Sequence, residues 1–124
     1  MHAVNDAAQT ARILASELKT TIAITGPVDF ITDGNRTYRV ANGHPLMARV
    51  TGTGCTATAV IGSFLAVDPD PTSATVSALA YFGLAGEIVG KSAPAPASFM
   101  IAMLDALYTI SPDQLKEGCK IENG

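Results

Sequence analysis

Tryptophan is absent, aromatic residues make up only 6% of the chain, and charged residues 15%, well below the roughly 25% of ordinary globular domains. The 48% apolar content is therefore carried largely by alanine, valine, isoleucine and leucine. Such a chain packs its helices closely or gives up surface to a partner, so composition implies an oligomer. No cluster of lysine or arginine occurs and the formal charge is -3, which excludes the convergent cations that a nucleic-acid backbone demands. No uncharged apolar run reaches the ~18–20 residues of a membrane span. The nearest, Thr72 to Gly86, carries hydroxyls and glycines and reads as a buried helix. A basic stretch followed by an apolar core is missing at the N-terminus, so no secretory signal is read there. Cysteine is scarce too. Cys55 and Cys119 could form one bridge, but nothing in their setting demands it, and a reduced cytoplasmic protein is expected. With only His2 and His44, no metal cluster can be built from histidines, and no metal ligand is assigned.

What is present reads as one α/β unit at 124 residues, without repeats, linkers or an internal boundary. Residues 5–19 form an amphipathic helix that Asn5 or Asp6 can cap. "TTIAITG", Thr20 to Gly26, is a β-branched run that predicts a buried strand. "VDFIT" and "RTYRVA" flank Asp33-Gly34-Asn35, a strong hairpin signal. "PLMARV", Pro45 to Val50, reads as a third extended piece. From Cys55 onward the pattern turns helical: Thr56–Val67, Pro71–Ser92, and a segment from Ala97 or Ser98 to Ile110 behind a proline-rich lead. Ser111 and Pro112 open a polar tail turn.

The extended-to-helical switch falls on "VTGTGC", Val50 to Cys55. Gly52 and Gly54 permit positive φ and let a backbone approach a ligand closely. The amides at the start of a helix carry partial positive charge and can receive an anion. Cys55 falls in the first turn, where a helix dipole favours the thiolate form of cysteine. An anion cradle beside an ionisable side chain is the minimum for phosphoryl transfer. Glycine-containing turns into helices are common, however, and a small-residue setting also suits an inert packed cysteine. Spacing alone leaves both readings standing. Elsewhere, Asp29 reads as a turn-stabilising carboxylate rather than a magnesium ligand, and Asp33 belongs to its hairpin. His44 reads as a solvated or hydrogen-bonded loop histidine, Lys91 as a complement to a helix C-terminus, Glu87 as a solvated or interface charge, and Cys119 as a bystander.

"VTGTGC" followed by "TATAVIGSFLAV" resembles the nucleophile-activating motif of the ribokinase-like superfamily of small-molecule kinases. Most members have aspartate where this chain has Cys55; the Gly-Thr-Gly-Cys version is typical of the thiamine branch, the hydroxyethylthiazole and hydroxymethylpyrimidine kinases. "IAITGPVDFITDGNRTYRVANGHPLMARVTGTGC" resembles the hydroxyethylthiazole kinases throughout, and "SFMIAMLDALYTIS" resembles their last core helix. The resemblance implies a ribokinase-like three-layer α/β/α fold, with residues 1–124 its C-terminal portion. It implies ATP and 4-methyl-5-(2-hydroxyethyl)thiazole as substrates, Mg2+ as cofactor, and a homo-oligomer, trimeric in the family.

Carried over position by position, Cys55 matches the proton-abstracting residue and Gly52 a substrate-contacting glycine. Gly52, Thr53 and Gly54 together match the anion hole, and Thr25 an ATP-binding threonine at a strand end, where α/β folds take ligands. Family members are longer by a whole N-terminal half. That half is expected to hold the thiazole pocket, a phosphate-binding arginine and the acidic residues that organise magnesium. The family's Pro-Gly-Ser-Phe before the last helix is here Pro96-Ala97-Ser98-Phe99. Two other readings accompany the leading one: a hydroxymethylpyrimidine kinase, and a catalytically inactive nucleotide-binding or oligomerising module.

Overall fold

A computed structural model describes residues 2–93 and 95–124, with side chains from residue 6 onward. Met1, and Pro94 in the proline-rich lead of the last long helix, lie outside the described residues. In chain order the elements are α1 (His2–Leu18), β1 (Ile22–Ile24), β2 (Asp29–Thr32), β3 (Thr37–Val40) and a 3-10 helix (Pro45–Arg49). There follow α2 (Thr53–Leu65), α3 (Pro71–Gly90), α4 (Pro96–Thr109), α5 (Pro112–Gly118) and β4 (Ile121–Asn123). The four strands form one antiparallel sheet in the order β1-β2-β3-β4.

Strand β2 explains the layering. Successive strand side chains point to opposite faces, and here all four residues are buried. Phe30 packs on Ala8 and Ala11 of α1. Its neighbour Ile31 enters the main core with Val76, Leu79 and Phe82 of α3. Helices therefore cover both faces of the sheet, which is the α/β/α layering expected from the sequence. On the α3 side, α2 and α4 pack outside α3 and make that helix the centre of the core. By length and apolarity α3 could cross a membrane, but 61% of its most apolar window is buried in this fold.

The hairpin forms as its Asp-Gly signal predicts, with Thr32 opposite Thr37. Asp33 Oδ1 accepts from the amides of Asn35 (2.9 Å) and Arg36 (2.7 Å), and Gly34 takes φ 96°. Arg36 bridges onward, its guanidinium gripping both carboxylate oxygens of Asp70 at 2.7 and 2.9 Å. Asp70 in turn caps α3 by accepting from the Thr72 amide. The hairpin tip and the start of the central helix are thus one polar unit.

Four expectations are corrected. Pro45–Val50 is not extended: proline pre-sets a helical φ, and His44 Nδ1 caps the turn by accepting from the Leu46 amide at 3.1 Å. The run lacks the alternation a strand requires. Helix α1 begins at His2, so Asn5 and Asp6 lie within it rather than at its cap. The Thr20–Gly26 run contributes only Ile22–Ile24, a sheet edge with Ala23 and Ile24 exposed rather than a buried strand. The tail is no simple turn. Ser111 and Gln114 form a reciprocal capping box that starts α5, and β4 then pairs with β3, setting Val40 opposite Ile121.

Candidate active site

The Gly-Thr-Gly-Cys stretch begins α2 three residues earlier than periodicity suggested. Gly52 is the N-cap at φ 93°, a left-handed conformation that glycine adopts without a Cβ penalty. The first bond of the helical ladder runs from the Thr56 amide to the Gly52 carbonyl at 2.9 Å. The amides of Thr53, Gly54 and Cys55 precede that ladder and lie at the positive end of the helix. Gly54 does not use positive φ, contrary to expectation; it is an ordinary helical residue. A Cβ at either Gly52 or Gly54 would meet nothing within 4 Å, so open space lies in front of both. Cys55 is exposed and unbridged, the third residue of the helix. One flank of this open turn is a shallow apolar depression lined by Val50, Thr56, Phe99 and Met100.

The turn is held from behind. Thr53 Oγ1 lies 2.9 Å from both the Met47 and Val50 carbonyls, tying the start of α2 to the 3-10 helix. That helix is seated on α3. The Met47 sulfur occupies the notch at Gly86, where a Cβ would come within 2.6 Å, and His44 fills the one at Gly90. The His44 ring also stacks on Phe99, centroids 5.8 Å apart. Upstream, the Asn42 carbonyl lies against Gly83, where a Cβ would approach to 2.6 Å. Three glycines on one face of α3 thus accept the segment leading into the turn.

Glu87, read from the sequence as a solvated or interface charge, is half-buried and bonded within the chain. Its Oε1 accepts from the Gly43 amide (3.0 Å), Asn42 Nδ2 (3.2 Å) and Lys120 Nζ (3.2 Å). Asn42, itself buried, donates to the Gly118 carbonyl and accepts from the Lys120 amide. Sequence reasoning missed this knot because its partners lie 33 to 78 positions apart along the chain.

Asp29 does serve a turn, accepting from the Gly26 amide at 3.0 Å. Burial raises its pKa, and that hydrogen bond pulls the other way. Thr25 is exposed just past β1. β1 packs on α1 and β2, whereas α2 packs on α3. Gly52, Thr53, Gly54 and Cys55 share one turn at the start of α2, while Thr25 follows β1. Cys119 sits at the end of α5, its thiol pKa raised by burial and by the Glu87 charge. Among the described residues, no three histidine, cysteine, aspartate or glutamate side chains come together to hold a metal. An open cradle of amides beside an exposed thiol can hold an anionic oxygen and present sulfur to a neighbouring proton.

The chain is 63% identical over 119 residues to the hydroxyethylthiazole kinase of Desulfotalea psychrophila, covering 96% of this chain and 44% of that protein. With the Cereibacter sphaeroides enzyme of the same name it shares 54% over 112 residues, 42% of that enzyme's length. The chain thus spans less than half the length of these curated relatives. In structure it matches the hydroxyethylthiazole kinase protein from Pyrococcus horikoshii OT3 with a TM-score of 0.92 and 41% identity, covering 99% of this chain and 48% of that one. The model of the hydroxyethylthiazole kinase family matches residues 1–113, and the chain belongs to that family.

Proposed function

We propose that residues 1–124 are the C-terminal part of a single kinase domain. That domain moves the γ-phosphoryl group of ATP to the hydroxyl of 4-methyl-5-(2-hydroxyethyl)thiazole, a step in thiamine biosynthesis or salvage. The carrying observation is the Gly52–Cys55 turn, with its left-handed Gly52, open amides and exposed thiol, in a chain of this family. On this reading Cys55 takes the proton of the substrate hydroxyl. The freed oxygen forms a bond to the γ-phosphorus as the bond to the β,γ-bridging oxygen breaks, and ADP leaves. The amides of Gly52, Thr53 and Gly54 hold the charge on the transferring group, and Gly52 allows close approach of the substrate. Thr25 contacts ATP from its strand end.

Magnesium is the metal this chemistry uses with ATP. Among the described residues no three histidine, cysteine, aspartate or glutamate side chains come together, and the carboxylate pair Asp33 and Asp70 is taken up by the Arg36 guanidinium, so no step is assigned to magnesium. Its ligands are proposed to lie in the remainder of the kinase. We place the protein in the cytoplasm as a homo-oligomer, trimeric by resemblance. The apolar side chains exposed along α4, Ile101, Leu104 and Tyr108, support a further protein surface there.

The test is a kinase assay on the full-length protein that carries this segment. The thiazole alcohol is expected to be phosphorylated in preference to the hydroxymethylpyrimidine. Cys55→Ala is expected to lower kcat by about 100-fold or more while leaving the ATP KM within about threefold. Undiminished turnover in Cys55→Ala would make Cys55 a packing residue, and a preference for the pyrimidine alcohol would move the protein to the sister activity.

A further inference from the structure

We propose that the side chain of Thr53 is a positioning residue: its hydroxyl clamps the 3-10 helix to the start of α2 and sets the angle at which the turn presents its amides and the Cys55 thiol. Only the backbone of Thr53 enters the anion hole, so the hydroxyl is free for this second role. Three observations carry the inference. The hydroxyl sits 2.9 Å from two carbonyls, Met47 and Val50, which belong to the preceding helical turn and its exit. Gly52, between the clamp and the helix, has left-handed backbone torsions and no side-chain capping bond, so it supplies no anchor of its own. The clamped segment is itself immobilised, because Met47 is set into the notch at Gly86 and Glu87 holds the amide of Gly43. The chain Glu87–Gly43–Met47–Thr53 thus links the central helix to the turn without any member but Thr53 reaching it. A one-hydroxyl clamp matters because small misplacements of reacting groups cost large factors in rate.

The inference rests on the kinase reading for its kinetic consequence, but not for its geometry. Two variants in the full-length protein test it: Thr53→Val keeps the shape and deletes the hydroxyl, while Thr53→Ser keeps the hydroxyl. In Thr53→Val, kcat for the thiazole alcohol is expected to fall about tenfold or more, with the ATP KM within about threefold. The thermal midpoint should stay within about 5 °C of the parent. Iodoacetamide labelling of Cys55, located by peptide mass spectrometry, should slow about threefold or more as the thiol turns away from the open side of the turn, where it is now exposed. Thr53→Ser should restore at least half of both rates. Parental labelling and kcat in Thr53→Val would overturn the proposal. So would equal losses in both variants, or a loss that merely tracks a collapse of the thermal midpoint. The control Cys55→Ala separates the two readings. If that variant stays fully active while Thr53→Val still slows labelling, the kinase role of Cys55 falls and the clamp stands.

Discussion

Gly52 and Gly54 look alike in the sequence and differ in physics. At Gly52, φ of 93° makes any side chain costly, so alanine there is expected to destabilise by about 1–2 kcal/mol although no atom stands in its way. Gly54 is helical and faces open space, so nothing among the described residues requires glycine there. Gly54→Ala should therefore stabilise the fold by up to about 1 kcal/mol, because alanine is the better helix former. If a ligand's anionic group comes up against that backbone, the same methyl obstructs it, and turnover should fall while the thermal midpoint rises. Measured together, kcat and the melting temperature decide: gains in stability with unchanged kcat would remove Gly54 from the anion hole. The motif residues themselves were legible as a string. Their division of labour, one glycine for torsion and one for space, became visible only with backbone angles.

At the scale of elements, the central fact is how α3 receives the segment 42–50. The hydroxyls and glycines of α3 marked it as buried and its proline start was readable from the chain, but the cap expected there was a threonine or serine, whereas Asp70 fills it. Glycines at 83, 86 and 90 could not be read as notches, because what fills them comes from a loop about forty residues upstream. Gly83 is the least forgiving of the three, since a Cβ there would meet the backbone of Asn42, which cannot swing aside as a side chain can. Gly83→Ala is expected to cost about 1–3 kcal/mol despite alanine's better helix propensity. Chemical denaturation would show it, and a neutral or stabilising outcome would mean that the 42–50 segment is not held by α3. The misreading of Pro45–Val50 has the same origin. A five-residue 3-10 helix has too few turns for a periodic pattern, and its start depends on a histidine side chain acting as a cap.

For the molecule as a whole, the hairpin-to-α3 polar unit sets the acid limb of stability. Burial works against ionisation of Asp33. The amides of Arg36 and Asn35, the Arg36 guanidinium and the Thr72 hydroxyl outweigh it and bring its pKa to about 2 from an ordinary 3.8. Asp70 is also lowered, chiefly by its paired hydrogen bonds from Arg36, against the opposing effect of burial. A carboxylate with a depressed folded pKa stabilises the native state fully above its unfolded value, and that contribution is lost as pH falls through the folded one. Stability is thus expected to drop between pH 3.8 and about 2. Asp33→Asn should be less stable near neutrality and show a shallower drop across that window. Melting temperatures of the two proteins from pH 7 downward would check this, and parallel curves would mean that the Asp33 contacts do not contribute.

Local chemistry was enough for the sequence to determine several features. Asp-Gly between alternating segments makes the hairpin, proline starts α3, and a glycine pair before an apolar run makes a turn into a helix. Resemblance along most of the chain then indicated the family. The tertiary structure alone decided the rest: a tail strand that completes the sheet, the gathering of three donors on half-buried Glu87, and the seating of Met47 and His44 on α3. These depend on partners far apart in the chain, brought together by closing the core. The same closure leaves the thiol of Cys55 exposed, in a turn tied back through the hydroxyl of Thr53, a residue the sequence marked only for its backbone amide.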